Sequence, residues 1–446
     1  MEEQVIFSWG ANSYGQLGVG HRDDRHSPQQ LEGVNFRVKA VTGGGGHTVL
    51  ISAEGRLFVC GWNQKGQLGL GHREDRSVPT QVTALTEPVD TVACGWDFTL
   101  AVTEGGQLFS WGSNAFGQLG FPEVKGHSST PTPVQSLQGV KIVGVAAGLR
   151  HAVALDDSGS VWTWGAGKRG QLGCLEGGRC STVSRQPGRV QLDAGPSVVA
   201  VTAGSYHSVA LTASGDLYVW GRNDKGQLTN RNCCKHEGQV TSSLASTNHV
   251  QDSTKSTSTD KEQASSPSVL ANQLQSDTSQ KTVLETTLKP VPHKTSATRS
   301  VDVVELPVRL DLTLFDGKKV VQIESGWTHL VAVTEDRRVW TWGRADYGQL
   351  GRFGDRTALQ HSCPQPAELS SLYGVKQLQC GSEHNIAVIG NKVVCWGWNE
   401  HGMCGDGGEE DVLVPKVVKA LQGYTPVWVS TGAGHTMVGM ERTNCC

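Results

Sequence analysis

Six histidines recur in one local setting, with a glycine three residues before and apolar residues after: His47, His151, His207, His329, His384 and His435. Imidazoles in series could bind a transition metal or move protons. One further copy of the same setting carries Phe98, which can do neither. A ring of metal-binding or acid/base histidines is therefore a poor reading. The imidazoles are read instead as structural, tied to a neighbouring loop by hydrogen bonds.

Other reactive chemistry fares no better. Gly165-Ala166-Gly167-Lys168-Arg169 is glycine-rich, but lacks the earlier glycine and the Ser/Thr after lysine that a phosphate-binding loop needs. No H-E-x-x-H or G-x-S-x-G run occurs. The 12 cysteines are scattered. Cys60, Cys94, Cys380 and Cys395 read as small buried hydrophobes, and Cys174/Cys180 and Cys233/Cys234 lack a zinc site's spacing. Cys445-Cys446 has no polybasic run before it, so the tail is read as unmodified. No catalytic residue, metal site or cofactor is assigned.

Bulk composition narrows the partners. A net charge of -3 without a basic run argues against nucleic acid and against a basic membrane patch. No apolar run is long enough to span a bilayer, and Met1-Glu2-Glu3 does not open a signal peptide. A cytoplasmic chain without membrane insertion, also open to the nucleus and acting as a monomer, is expected.

The histidines belong to a larger period. A Trp-Gly pair leading into Gly-Gln-Leu-Gly recurs seven times in nearly the same form, starting at Trp9, Cys60, Trp111, Trp164, Trp220, Trp342 and Trp396. From Gly10 to Gly397 the steps are 51, 51, 53, 56, 122 and 54 residues. Each unit runs through an apolar stretch into Gly-x-x-His, a glycine turn, an alternating stretch into Trp-Gly, and a Pro-x-x-Val return such as Pro79-Thr80-Gln81-Val82. Short apolar or alternating runs between Gly and Pro turns are strand signals. Four such strands per unit of about fifty residues describe a propeller blade. The expected fold is all-β: a seven-bladed β-propeller with four short antiparallel strands per blade.

The chain opens at Val5-Ile6-Phe7-Ser8-Trp9-Gly10 and finishes at Val427-Trp428-Val429-Ser430-Thr431-Gly432-Ala433-Gly434-His435, each in mid-repeat. The last blade is therefore expected to be closed by both chain ends. The long step marks an insertion in the fifth blade, the one carrying Trp220. Residues 241–300 contain 24 Ser or Thr and no glycine or aromatic residue. This composition cannot bury a core. The expected organisation is propeller over 1–229, a disordered Ser/Thr-rich insertion over 230–300, propeller over 301–440 and a tail over 441–446.

What varies between units is more informative about function. The two spacers inside Gly-x-x-His are Trp96-Asp97, Leu149-Arg150, Ser205-Tyr206, Trp327-Thr328 and Ser382-Glu383. Closure gathers these loops on one face. Large aromatics mixed with charges there suit a protein partner. A second variable set, in the Trp-Gly turns, holds Tyr14, Lys65, Phe116, Lys225, Asp346, Tyr347, Glu400 and His401.

The pairing of Gly-x-x-His with Trp-Gly-x-Asn-x-x-Gly-Gln-Leu-Gly resembles the regulator of chromosome condensation repeat family over nearly the whole chain except the insertion. That resemblance implies a seven-bladed propeller. Ala93-Cys94-Gly95-Trp96-Asp97-Phe98-Thr99, Ser325-Gly326-Trp327-Thr328-His329-Leu330 and the Trp342 and Trp396 blocks are similar to a member that exchanges guanine nucleotide on a small GTPase and is linked to secretion. The implied role is a regulator of a small GTPase, with no covalent chemistry, and secretory machinery as a further partner. A non-catalytic adaptor holding a GTPase or trafficking complex is the alternative. In the family's founding exchange factor one propeller face binds the GTPase, helped by a β-wedge inserted in one blade. The resemblance carries over onto His47, Asp97, His151, His207, His329 and Glu383; together with the loop residues read above, the expected GTPase-binding face comprises Trp96, Asp97, Arg150, His151, Tyr206, His207, Trp327, His329, Glu383 and His384. The third block, Trp111–Gly120, has no insertion where the wedge lies. A plant member senses ultraviolet-B with clustered tryptophans; Trp96 and Trp327 belong to non-adjacent blades, which argues against that use.

Overall fold

Alternation and glycine turns build the same sheet seven times. The computed structural model describes residues 4–192, 197–229 and 302–442. Among these, seven four-stranded antiparallel sheets form the expected propeller, and helical structure is confined to short 3-10 turns. The Trp164 blade runs from its inner strand Ile142–Ala147 through His151–Asp156 and Val161–Ala166 to its outer strand Val183–Arg189. In the Trp164 and Trp220 blades the inner strands begin with buried Ile142 and Val198, the second strands are buried throughout, and the outer strands are largely exposed or half-buried.

The ends close the ring as expected. Gln4–Gly10 pairs antiparallel with His435–Arg442, in register from Gln4↔Glu441 to Gly10↔His435. Arg25–Gln30 and Tyr424–Thr431 complete that blade. The outer strand of the Trp220 blade resumes at Val303–Arg309, around the Glu305-Leu306-Pro307-Val308 return. The expected insertion at 230–300 and Cys445-Cys446 lie outside the described residues.

Blade junctions explain the repeated residues. Trp9, Trp111, Trp164, Trp220, Trp342 and Trp396 are fully buried. Each indole Nε1 donates to a carbonyl in the Gly-Gln-Leu-Gly turn of the preceding blade, as Trp164 does to Gln118 O and Trp220 to Gln171 O at 2.8 and 2.9 Å. Buried indoles need such a partner. Where Cys60 replaces Trp, its thiol lies 3.5 Å from the equivalent Gln16 O. Asn Oδ1 in the same turn accepts from a backbone N–H five residues on, as Asn12 does from Leu17 at 3.0 Å. Gly165 has φ +103°, and a side chain there would meet Arg150 O at 2.5 Å.

One feature escaped the sequence reading. Between the third and fourth strands of the Trp164 blade, Cys174–Leu175 and Arg179–Cys180 form a two-stranded hairpin. Cys174 and Cys180 are joined by a disulfide across it, with Cα atoms 4.4 Å apart. The turn after Trp111 contains no strand pair before the outer strand His127–Pro133.

Candidate partner-binding face

The Gly-x-x-His loops join inner to second strands at one mouth of the ring, and their amides are stitched together. Trp327 N–H donates to Ser382 O at 2.7 Å, Ser382 to Ala433 O at 3.3 Å, and Ala433 to Gly44 O at 3.0 Å. Gly45 N–H reaches Trp96 O at 3.2 Å, Leu149 reaches Ser205 O at 3.3 Å, and Ser205 reaches Trp327 O at 3.1 Å. Blade-to-blade bonds of this kind hold the spacers in a collar, so their side chains are presented by rigid backbone.

Beneath the collar the histidines form a second, buried ring of contacts. His151 Nε2 lies 3.0 Å from Ser208 Oγ in the next blade, and that hydroxyl donates to Gln171 O at 2.9 Å. The hydroxyl proton is thus committed, and its oxygen accepts from the imidazole. The same relay joins His47 to Thr99 at 3.0 Å, His384 to Thr436 at 3.0 Å and His435 to Thr48 at 2.8 Å. Asn385 replaces the hydroxyl for His329, accepting at 2.7 Å through Oδ1 while Nδ2 donates to Gln349 O at 2.9 Å. The glycine three residues earlier makes room for each ring: a side chain on Gly148 would lie 2.2 Å from His151 Cε1.

Two junctions depart from this pattern. Phe98 faces the blade where Ala152 stands in the hydroxyl position, so both partners are apolar. His207 faces the blade where Leu330 stands there, and neither of its buried ring nitrogens has a partner. Burial pushes the pKa of His47, His151, His207 and His384 down to about 3 and that of His435 to about 4. All five imidazoles are neutral at physiological pH.

The expectation that His151, His207, His329 and His384 contribute to a contact surface is corrected here. All four are fully buried, their rings turned down into the blade junctions instead of outward. Glu383 is also inside, 5 % exposed. Its carboxylate accepts from Thr328 Oγ1 at 2.6 Å and Gln349 Nε2 at 2.8 Å, with Arg344 at 3.6 Å. Burial opposes its charge, but the bonds to His329 and Thr328 and the Arg344 guanidinium hold the pKa below the usual value. Glu383 is a brace between blades.

The remaining spacers stay accessible. Trp96, Asp97, Arg150, Tyr206 and Trp327 are half-buried. Arg150 lies over the Phe116 ring at 4.3 Å, and Arg222 over Tyr206 at 5.9 Å. Burial pushes the Asp97 carboxyl up to about 6, despite Ser113, Arg150, Lys65 and Gln118 drawing it down. The second variable set mostly covers junctions: Tyr14 stacks on Trp62 with centroids 5.3 Å apart, and His401 Nδ1 meets Asp24 at 2.9 Å.

Trp96 and Trp327 come together, against the expectation from their non-adjacent blades. Their ring centroids are 5.6 Å apart at 52°. The blades lie on opposite sides of the ring, so the two loops lean inward and meet over the axis. Below them runs an axial channel of about 400 Å³, lined by the inner strands and by both indoles. This arrangement offers a partner a firm aromatic centre with Asp97, Arg150 and Tyr206 in the same collar, without a metal-ligand cluster among the described residues.

Comparison with known proteins agrees with this geometry. An RCC1-like domain matches residues 5–276, and the regulator of chromosome condensation (RCC1) repeat matches 320–349, 336–388 and 391–438. The chain is 40% identical over 454 residues to the secretion-regulating guanine nucleotide exchange factor of Mus musculus, covering 97% of this chain and 83% of that protein. It is 30% identical over 421 residues to the ultraviolet-B receptor UVR8 of Arabidopsis thaliana, covering 94% and 78%. The crystal structure of Prp20p from Saccharomyces cerevisiae superposes with a TM-score of 0.74 at 22% identity, covering 100% of this chain and 93% of that one.

Proposed function

Because this chain belongs to the regulator of chromosome condensation (RCC1) repeat family, we propose that it is a guanine nucleotide exchange factor for a small GTPase, linked to secretion. The observation that carries this reading is the 40% identity, along nearly the whole chain, to proteins named for that activity. The contact surface is the collar face, centred on Trp96 and Trp327 with Asp97, Arg150 and Tyr206 around them. The protein is a regulator: it accelerates nucleotide release and makes or breaks no covalent bond. The cytoplasm and the nucleus are its proposed locations, and it acts as a monomer.

Exchange needs only differential binding. A face that holds the nucleotide-free GTPase more tightly than the loaded form lowers the barrier to losing nucleotide. A rigid collar suits this, because little ordering is required on binding. Asp97, half-buried and held by one long bond from Gln118, is the carboxyl placed to compete for a GTPase lysine, since Glu383 is engaged within the fold. The unadorned turn after Trp111 favours a second reading, an adaptor that binds a GTPase without releasing its nucleotide.

One experiment separates the two. The purified chain is mixed with a panel of small GTPases, Ran and secretory Rab, Ral and Rho members included, each loaded with fluorescent GDP. Acceleration of release on at least one supports exchange. Nucleotide-independent binding with no acceleration supports the adaptor, and neither result on any GTPase overturns both.

A further inference from the structure

The axial channel contains a charge without a counter-charge. Glu324, on the inner strand Val320–Ser325, is the one ionisable carboxylate or cationic group among the described residues that line it. Its neighbour is Gln322, whose Nε2 donates to the carboxylate at 3.1 Å. Residues at the same level of the other inner strands are neutral: Thr42, Ala93, Ala146, Thr202, Gln379 and Ser430, each two residues before its loop glycine. Glu324 is half-buried, and a carboxylate drawn into a narrow channel without a cation is costly and is normally paired. The Ser325 Oγ, also on the channel, is buried without a partner.

The mouth above is aromatic. Trp96 and Trp327 line the channel with Glu324, and Trp327 stands three residues after Glu324, in the loop that follows its strand. Indole faces attract cations, most strongly where water is excluded. A cavity of about 400 Å³ is of the size that encloses a small ligand or an inserted side chain. An aromatic mouth over a lone carboxylate selects a cation at the end of a slender apolar stem.

We propose that the axial channel binds a primary alkylammonium group, with Glu324 as its counter-ion and the Trp96–Trp327 pair as its collar. The group could be supplied by a free polyamine or by a lysine side chain of a partner protein. The site does not depend on the exchange activity. Its affinity depends on pH, because burial pushes the Glu324 carboxyl up to about 7. The other titratable groups on the channel are the thiols of Cys94 and Cys380. Burial raises both, to about 12 for Cys94 and well upward for Cys380, where Glu324 adds to the effect. Neither thiol carries charge near neutrality. Ionisation of Glu324 between pH 6 and pH 8 therefore tightens ammonium binding about tenfold.

Calorimetric titration of the full chain at pH 8 tests this with two probes. Spermidine represents the free amine. A short lysine peptide, beside its norleucine counterpart, represents a protein side chain. The expected result is saturable one-to-one binding of at least one ammonium probe, no binding of the norleucine peptide, and binding about tenfold weaker at pH 6. Glu324→Gln, close in shape, should weaken binding at least tenfold while leaving the thermal transition in place. Trp327→Leu gives an independent loss should that variant fail to fold. Spermidine alone binding identifies a free amine, and the lysine peptide alone identifies a partner's side chain. Failure of every ammonium probe, or full affinity in Glu324→Gln, overturns the proposal.

Discussion

His435 Nε2 lies 2.8 Å from Thr48 Oγ1, so the last strand of the chain is hydrogen-bonded to the first complete blade. The Thr48 hydroxyl also donates to Gln16 O at 2.7 Å. One side chain thus links three segments that are far apart in sequence at the point where the ring closes. Thr48→Val keeps the shape and leaves the imidazole and the carbonyl without it. We expect a loss of about 1–3 kcal/mol in stability, read as a lower urea midpoint with an unchanged slope. Removing 424–442 should abolish the single cooperative transition, because it strips two strands from the closing blade.

The junction between His207 and Leu330 is the complementary case. The buried imidazole meets a side chain that cannot accept its proton. Leu330→Thr restores the hydroxyl found in four other relays and should raise stability by about 1 kcal/mol. A urea titration showing equal or lower stability contradicts the relay as the source of inter-blade stability at this joint.

The pH dependence follows from the same buried rings. Five histidines have folded-state pKa values lowered to about 3 or 4 from an ordinary 6.5. Below 6.5 the unfolded chain takes up protons that the folded ring refuses, so stability falls as pH drops toward the folded values. Asp97 and Glu324 act in the opposite sense, because their folded pKa values are raised to about 6 and about 7. They bind protons in the folded state first, which offsets part of the loss between pH 7 and about 4. Histidines outnumber carboxyls, so the net slope favours unfolding in acid, by about 1.4 kcal/mol per pH unit for each uncompensated proton. Unfolding free energies measured from pH 7.5 to 4.5 should decline steadily; a rise on acidification contradicts the assignment of neutral buried imidazoles.

Glu383 illustrates how much of the site was legible. Its place between Gly381 and His384 marked it as a loop spacer, but nothing local to the motif showed that Thr328, Gln349 and Arg344 converge on it from the adjoining blade. The period, the buried tryptophans and the closing blade were readable because each repeats a local pattern. The polar residue directly after four of the histidines, Thr48, Ser208, Asn385 or Thr436, and Thr99 after Phe98 are local signals for the relay partners. The meeting of Trp96 with Trp327 was not readable, since it depends on how far two opposite loops lean over the axis. The Cys174–Cys180 pairing likewise required the hairpin that brings the two residues into register.

Glu383→Ala should destabilise the joint, because it leaves the Thr328 hydroxyl and the buried Gln349 amide without their acceptor, while Arg344 keeps Asp346. The expected loss is about 1–3 kcal/mol, seen as a drop in the denaturation midpoint. A variant as stable as the parent contradicts the bracing role and returns Glu383 to the candidate contact surface.

The claim that the collar face acts through its aromatic centre is tested most directly by GDP release from the responsive GTPase. Wild type is compared with the Trp96→Ala/Trp327→Ala double variant and with Val199→Ser, a change at an exposed valine on the inner strand's opposite end. The account predicts release slowed at least tenfold in the double variant, with its thermal transition retained, and unchanged release in Val199→Ser. Undiminished release without the two tryptophans contradicts it.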